Sequence, residues 1–199
     1  MSDKRKQLEK LRHKIIDRVC KKDWKDVWFY PDPEHLPENW SKDLEKDKCP
    51  KYKKIKGFLG TQNLVFIGSN PSYNKFPTRY TDFFYEQLKI NGFENAHLTD
   101  LIKIRLFNKD VKDKLNDKNI IDEQLEFLKE EFSIIKPKLI VILGVCRGWK
   151  GKKIKEILEE NFRNTKIKDI YHYSSIRFPK NKVKFIKDMK NVKKWYKNK

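Results

Sequence analysis

The stretch that decides the fold is Leu64-Val-Phe-Ile-Gly-Ser-Asn-Pro-Ser72, an apolar run followed directly by small and polar residues. A short apolar run that ends in turn residues is typical of a buried strand closing in a tight loop. Pro71 fixes its own φ and restricts Asn70, so the loop presents an amide with little freedom. Ligands of open α/β sheets bind at such strand ends, which makes this loop the first candidate site.

Strands and helices alternate through the rest of the chain. Leu139–Leu143 is apolar on both faces, as strands in the middle of a parallel sheet are. Pro137 ends the helix before it, and Asn91-Gly92 ends an earlier helix. The pattern predicts a three-layer α/β/α fold with a central, mostly parallel four-stranded sheet. We expect strands at 64–68, 96–99, 139–143 and 167–171. One helix is expected to begin with a cap at Thr81 or Asp82 and to end at Ile90, and further helices are expected at 121–135, 152–162 and 181–196.

The first part of the chain has a different pattern. Four apolar residues recur there at helical spacing, which predicts a helix over roughly 4–22 that docks by this stripe. They are Leu8, Leu11, Ile15 and Val19. The stretch 30–50 is rich in proline, has tryptophans nearby and resists regular structure. We therefore expect an irregular, helical and Pro/Trp-rich extension packed on the core (1–62) and an α/β/α domain (63–199).

The charge of the chain favours a polyanionic partner. Its 199 residues include 47 Lys and Arg against 28 Asp and Glu, a formal net charge of +19. Nucleic acid is the first expectation and an anionic membrane surface the second. The longest apolar run, Leu139–Val145, is far shorter than the roughly 20 residues that span a bilayer, so we expect no membrane partner. Since the amino terminus lacks the apolar core of a signal peptide, we expect a cytoplasmic or nucleoid-associated location. We also expect a monomer.

Cysteine and histidine spacing argues against a metal centre. The three cysteines are widely separated, and the four histidines form neither an HExxH nor an HxH pattern. Free thiols and no metal or other cofactor are the expectation.

Three strand ends carry polar residues that a core does not need. They are Gly68–Tyr73, Thr99–Asp100 and Tyr171–Arg177. In a parallel sheet these ends lie on one edge, so Asn70, Asp100 and His172 are expected to converge although they are far apart in sequence.

These motifs, in this order, resemble the uracil-DNA glycosylase superfamily. The resemblance rests on GSNPS at 68–72, TD at 99–100, KPKLIVILG at 136–144 and HYSS at 172–175, and it covers about 63–196. GSNPS is most similar to the GINPG form of the mismatch-specific branch. The resemblance implies a monofunctional DNA glycosylase acting in base excision repair. Branches with an iron–sulfur cluster need four cysteines, and this chain has three.

The chemistry of that reaction assigns roles to the residues. Cleavage of an N-glycosidic bond makes an oxocarbenium-like sugar and an anionic base, so the site needs a positioned water and hydrogen-bond donors. Asn70 is expected to orient the water and His172 to donate to a base carbonyl. Phe76 is expected to stack on the flipped base, with Tyr73 and Tyr80 as less favoured substitutes. The base-binding set is Gly68, Ser69, Phe76, Asp100 and Ser174.

The expected partner is duplex DNA with a damaged base, or single-stranded DNA. Ile176 is expected to enter the duplex as an apolar wedge, and Arg177 to contact a phosphate or the orphaned base. The full DNA-binding set is Ser72, Arg147, Lys150, Lys152, Lys153, Ser175, Ile176 and Arg177.

Several alternatives stay open at this point. Asp100 stands where the resembling proteins often have asparagine, and a carboxylate accepts but does not donate, so it suits a base edge that offers donors. Asp100 can instead cap the following segment, Asn70 can merely shape a turn, and His172 can cap a strand end. The competing functions are a catalytically inactive nucleic-acid-binding protein of the same fold and an enzyme on free nucleosides or nucleotides.

Overall fold

The computed structural model describes residues 2–20, 29–30, 54–71, 79–104, 111–144 and 149–198. No helix in these ranges is both long and apolar enough to cross a membrane. The helices are α1 (Asp3–Cys20), α2 (Arg79–Asn91), α3 (Val111–Asn116), α4 (Lys118–Ile135), α5 (Trp149–Asn161) and α6 (Pro179–Lys197). The strands are β1 (Gln62–Gly68), β2 (Ala96–Asp100), β3 (Leu139–Leu143) and β4 (Lys166–Ile170), and 3-10 turns occur at Gly57–Leu59 and Tyr173–Arg177.

The four strands form one sheet in the order β2-β1-β3-β4, and each neighbouring pair is parallel. β1 and β3, the two most apolar strands, occupy the interior positions, as strands that are buried on both faces must. β4 lies at an edge and exposes Lys166 and Lys168. The predicted three-layer α/β/α fold with a four-stranded parallel sheet is therefore confirmed.

Alternate side chains of the sheet enter two separate hydrophobic clusters. Val65 and Ile67 of β1 pack in the cluster formed with α1, α4 and α5, whereas Leu64 and Phe66 pack in the cluster formed with α2 and α6. Because successive side chains of a strand point to opposite faces, each interior strand holds both layers together.

The first helix shares the core of the sheet domain. Leu8, Leu11 and Ile15 of its apolar stripe are buried in the cluster that contains α4. At its carboxyl end Arg18 pairs with Glu123 of α4, with 3.1 Å between Nε and Oε1.

α4 has a defined cap at each end. The Asp117 carboxylate accepts hydrogen bonds from the backbone N–H groups of Asn119 and Ile120. At the other end Lys136 adopts a left-handed conformation with φ 52°, and its N–H donates to the carbonyl of Phe132. Pro137 then prevents continuation, as the sequence predicts.

Several element boundaries differ from the expected ones. α2 begins at Arg79, so Thr81 and Asp82 lie inside its first turn and do not cap it. α5 begins at Trp149, and α6 begins with Pro179 at its first position, where a missing N–H costs no hydrogen bond. β4 ends one residue earlier than expected, at Ile170, and the short helix α3 was not foreseen within a polar, lysine-rich connection.

Lys136→Gly should stabilise the protein by about 0.5–1 kcal/mol, because glycine adopts a positive φ without the Cβ clash that lysine suffers. The measurement is the free energy of unfolding from urea titration. Lys138→Gly, an exposed lysine two residues later that lacks a positive φ, is the control and should destabilise instead. Equal effects of the two substitutions would contradict the strain argument.

Candidate functional site

The carboxyl ends of β1 and β2 are joined beyond the last strand residues. Gly68 and Asp100 are partners in the parallel register. The ladder continues because the Leu101 N–H donates to the Gly68 carbonyl at 2.9 Å and the Ile102 N–H donates to the Ser69 carbonyl at 3.0 Å. The loop that carries Asn70 is therefore fixed to the end of β2.

Asn70 is half-buried, and its own loop orients its amide. Its Oδ1 accepts from the Ser69 hydroxyl at 2.8 Å, and its Nδ2 donates to the Pro71 carbonyl at 3.0 Å. The amide thus helps to shape the turn, which is one of the two roles expected for Asn70. These hydrogen bonds also hold the amide in one orientation at the sheet edge. Asn70 makes further contacts besides these two.

Asp100 is only 4% exposed and leans over β1. A Cβ atom placed on Gly68 would overlap the Asp100 Oδ1 atom, so glycine is required where the carboxylate crosses the neighbouring strand. Burial raises the pKa of Asp100 to about 7, the nearby Lys103 ammonium opposes this rise, and the Glu131 carboxylate adds to it. Near neutral pH the side chain therefore exists both as a carboxylate and as a neutral acid.

Three tyrosines lie close enough to this carboxyl group to be affected by its charge. Asp100 acts electrostatically on Tyr30, Tyr85 and Tyr173, and burial raises the pKa of all three, so their phenols stay protonated. The Tyr30 and Tyr173 hydroxyls are hydrogen-bonded to each other. Tyr30 comes from the amino-terminal part of the chain, and its hydroxyl lies beside Gly68.

The turn that follows β4 reaches across the sheet edge to this cluster. The Tyr173 ring stacks on Phe84 of α2, with ring centroids 5.0 Å apart and an interplanar angle of 8°. The His172 ring also stacks on Tyr173, with ring centroids 4.2 Å apart and an interplanar angle of 29°. The structure therefore brings Asp100 of β2 near the residue that follows His172, although β1 and β3 lie between β2 and β4.

His172 begins the Tyr173–Arg177 turn and caps it. Its Nδ1 accepts the Ser174 N–H at 3.1 Å and lies 2.7 Å from the Ser174 Oγ. Because Nδ1 is an acceptor, we assign the ring proton to Nε2. The ring is half-buried, and burial lowers the pKa of His172 to about 4, so the imidazole is a neutral donor at pH 7.

The remaining expected site residues are distributed over three places. Lys150, Lys152 and Lys153 lie in the first turns of α5, beside Trp149, which is 42% exposed. The Ser175 hydroxyl donates to the His172 carbonyl at 2.7 Å. Tyr80 is the second residue of α2. Ser72, Tyr73, Phe76 and Arg147 lie outside the described residues.

An apolar side chain other than the expected Ile176 is also exposed near this turn. Ile176 packs against the hydrophobic cluster of α2 and α6 and is half-buried. Phe178, two residues later, is 49% exposed, and the Arg177 guanidinium lies 4.9 Å from its ring centroid. Sequence reasoning missed Phe178, since an aromatic residue before a helix usually enters the core.

A buried charged network behind Asp100 was also missed. Lys103 and Glu131 form an ion pair at 2.8 Å with both side chains at most 1% exposed. The Lys103 ammonium also donates to the Thr99 hydroxyl and the Asp100 carbonyl, and the other Glu131 oxygen lies 3.0 Å from His97 Nε2. Although burial opposes it, Lys103 and His97 lower the pKa of Glu131. A signal existed in the sequence: Glu131 falls on the apolar stripe of α4.

Among the described residues, no group of three or more His, Cys, Asp or Glu side chains is arranged to hold a metal ion. No protein-family model matches the chain, and no curated protein matches its sequence.

Asp100→Asn should change the pH dependence of stability. Between about pH 4 and pH 7 the unfolded wild-type chain loses the Asp100 proton while the folded chain keeps it, so wild-type stability falls as pH rises through this window. The stability advantage of Asp100→Asn should therefore grow by about 4 kcal/mol from pH 4 to pH 8. Urea unfolding at both pH values measures it, with Asp122→Asn, an exposed aspartate of α4, as the control. A constant difference would contradict the assignment.

Gly68→Ala should destabilise the fold by about 1–3 kcal/mol, because the new methyl group displaces a buried carboxylate. The same substitution in an Asp100→Ala background should cost much less. A double-mutant cycle on the free energy of unfolding measures this coupling. Additive effects would show that the close approach of Gly68 and Asp100 carries no energetic weight.

Proposed function

We propose that the protein hydrolyses the N-glycosidic bond of a flipped-out, damaged or deaminated base in DNA. The observation that carries the proposal is the arrangement at the sheet edge: His172 stacks on Tyr173, Tyr173 lies within electrostatic reach of the buried Asp100 carboxyl group, and Asp100 lies over Gly68, where the Asn-Pro loop begins. A leaving base needs donors that are already neutral and oriented, and water must attack from a fixed direction.

In this proposal the C–N bond between sugar and base breaks, and the electron pair leaves with the base. The His172 Nε2–H stabilises the charge that develops on a base carbonyl, and the base takes up a proton when it is released. Asn70 orients the water whose oxygen bonds to the sugar carbon, and the second proton of that water passes to solvent. An amide cannot remove a proton from the water. Orienting the water is sufficient, because the sugar carbon is strongly electrophilic.

Asp100 would read the edge of the base. As a carboxylate it accepts from an amino group or a ring N–H, and as a neutral acid it also donates to a carbonyl. With a pKa of about 7 both forms are available near neutral pH, so the site favours neither base edge alone. This mixed character sets Asp100 apart from an asparagine in the same place.

The second candidate function is binding of nucleic acid without catalysis. The observation in its favour is that Asn70 is bonded within its own loop and Asp100 is almost fully buried, so both can serve the fold alone. The strong positive charge fits both candidates and disfavours a free nucleoside as substrate. A direct activity assay distinguishes them.

The assay incubates the protein with duplexes that each carry one altered base: uracil, hypoxanthine, xanthine, or thymine opposite guanine. Alkali-labile abasic sites should form on at least one duplex. Under single-turnover conditions, Asn70→Ala and His172→Ala should each slow that reaction about 10²–10³-fold, the usual cost of removing one preorganised polar group.

Matched controls are available away from the site. His13 is exposed on α1 and Asn116 is exposed at the end of α3, so His13→Ala and Asn116→Ala should keep the wild-type rate. If no duplex is cut, or if the Asn70 and His172 variants cut as fast as wild type, the glycosylase mechanism is wrong. Binding without cutting would favour the second candidate.

A further inference from the structure

A groove of about 620 Å³ opens between α2 on one side and the end of the Tyr173–Arg177 turn and the first residues of α6 on the other. Its volume is in the range of small-ligand sites, about 300–1,000 Å³. Ile176 and Arg177 form part of one wall, so the groove begins at the turn that His172 caps. Tyr85, one of the tyrosines near Asp100, is also part of its lining, whereas Arg79, Lys89 and Lys182 have no role in the reaction above.

Positive charge dominates this groove and the surface that continues from it. Arg79, Lys89, Arg177 and Lys182 line it, against the acidic Asp82 and Glu86. Lys182 belongs to α6, which carries eight lysines and one aspartate, a net charge of +7. The lysines of α6 are exposed along a helix about 28 Å long. These lysines extend the positive surface from the groove along the length of α6.

Aromatic rings accompany the cations of this groove. The Arg79 guanidinium lies 4.9 Å from the ring centroid of Tyr80, and the Lys182 ammonium lies 5.0 Å from that of Phe83. Outside the groove wall, Phe178 exposes about half of its surface next to Arg177. Cations that follow a phosphate chain, together with rings on which bases stack, characterise single-strand binding sites.

We propose that this groove and the adjoining face of α6 bind a single-stranded segment of nucleic acid. Rings can stack only on bases that are not already stacked and paired in a duplex, which favours a single strand as the occupant. An acidic peptide would satisfy the cations but leave the rings unused. The inference extends the proposed function, since a strand leaving the site at His172 would enter the groove, but it concerns binding and is measured without base excision.

The test is fluorescence anisotropy of a labelled, undamaged oligothymidylate of about 12 nucleotides, titrated with the full chain at several salt concentrations. Wild type should bind it about 10-fold or more tightly than a duplex of equal length, and more tightly than an oligoglutamate of equal charge. Phe178→Ser should weaken binding of the single strand without changing its salt dependence. Serine suits this position, because Phe178 is the N-cap of α6.

The charge contribution is tested with a matched pair of triple variants. Arg79→Gln, Lys89→Gln and Lys182→Gln together should weaken single-strand binding and reduce the slope of log K against log salt by about 2. Lys112→Gln, Lys118→Gln and Lys129→Gln remove the same charge from exposed positions on α3 and α4 and should leave the slope nearly unchanged. Circular dichroism confirms that both triples are folded.

Equal affinity for the duplex or the oligoglutamate, or equal losses in the two triple variants, would overturn the inference. Failure of the proposed function is distinguishable from this outcome. Single-strand binding that depends on the groove, with no base excised from any duplex, would leave the inference standing and reject the glycosylase. If the wild-type protein excises a base but the Arg79, Lys89 and Lys182 triple variant binds the single strand as tightly as wild type, the glycosylase proposal stands and this inference is rejected.

Discussion

The buried ion pair between Lys103 and Glu131 is the interaction on which the sheet edge depends. Both charges lie in the interior, where removing one partner of such a pair costs about 3–5 kcal/mol because the other is left uncompensated. The Lys103 ammonium also holds the Asp100 carbonyl, and this fixes the end of β2. The position of Asp100 in turn requires a glycine at 68 and, through the extended ladder, sets the loop that carries Asn70.

Burial has opposite consequences for the two titratable groups at this edge. It makes His172 neutral by lowering its pKa and makes Asp100 partly neutral by raising its pKa. The edge therefore contains hydrogen-bonding groups with little fixed charge, although the chain as a whole is strongly basic. In the proposed function, the lysines on the surface of α6 would hold the polyanion, and the less charged groups at the sheet edge would contact the base.

The features of the fold that depend on local sequence patterns could be predicted from the sequence. Hydrophobic periodicity and turn residues identify the apolar strands β1 and β3, the end of a helix before Pro137 and the apolar stripe of α4. The fold class could therefore be predicted from the sequence. Tyr30 could not be placed beside Gly68, because that contact depends on how the chain returns to the sheet. The groove escaped prediction for the same reason: it exists only through the relative position of α2 and α6.

The lysines of α6 also have a kinetic consequence. α2 carries no net charge, so α2 and α6 together have a net charge of +7, whereas α1, α4 and α5 on the opposite face of the sheet together have +2. Such asymmetry orients a molecule in the field of a polyanion before contact and raises association rates by about 10–10³-fold at low ionic strength. Among these helices, α6 therefore carries the charge that would meet a polyanion first, and it begins directly after the turn that His172 caps.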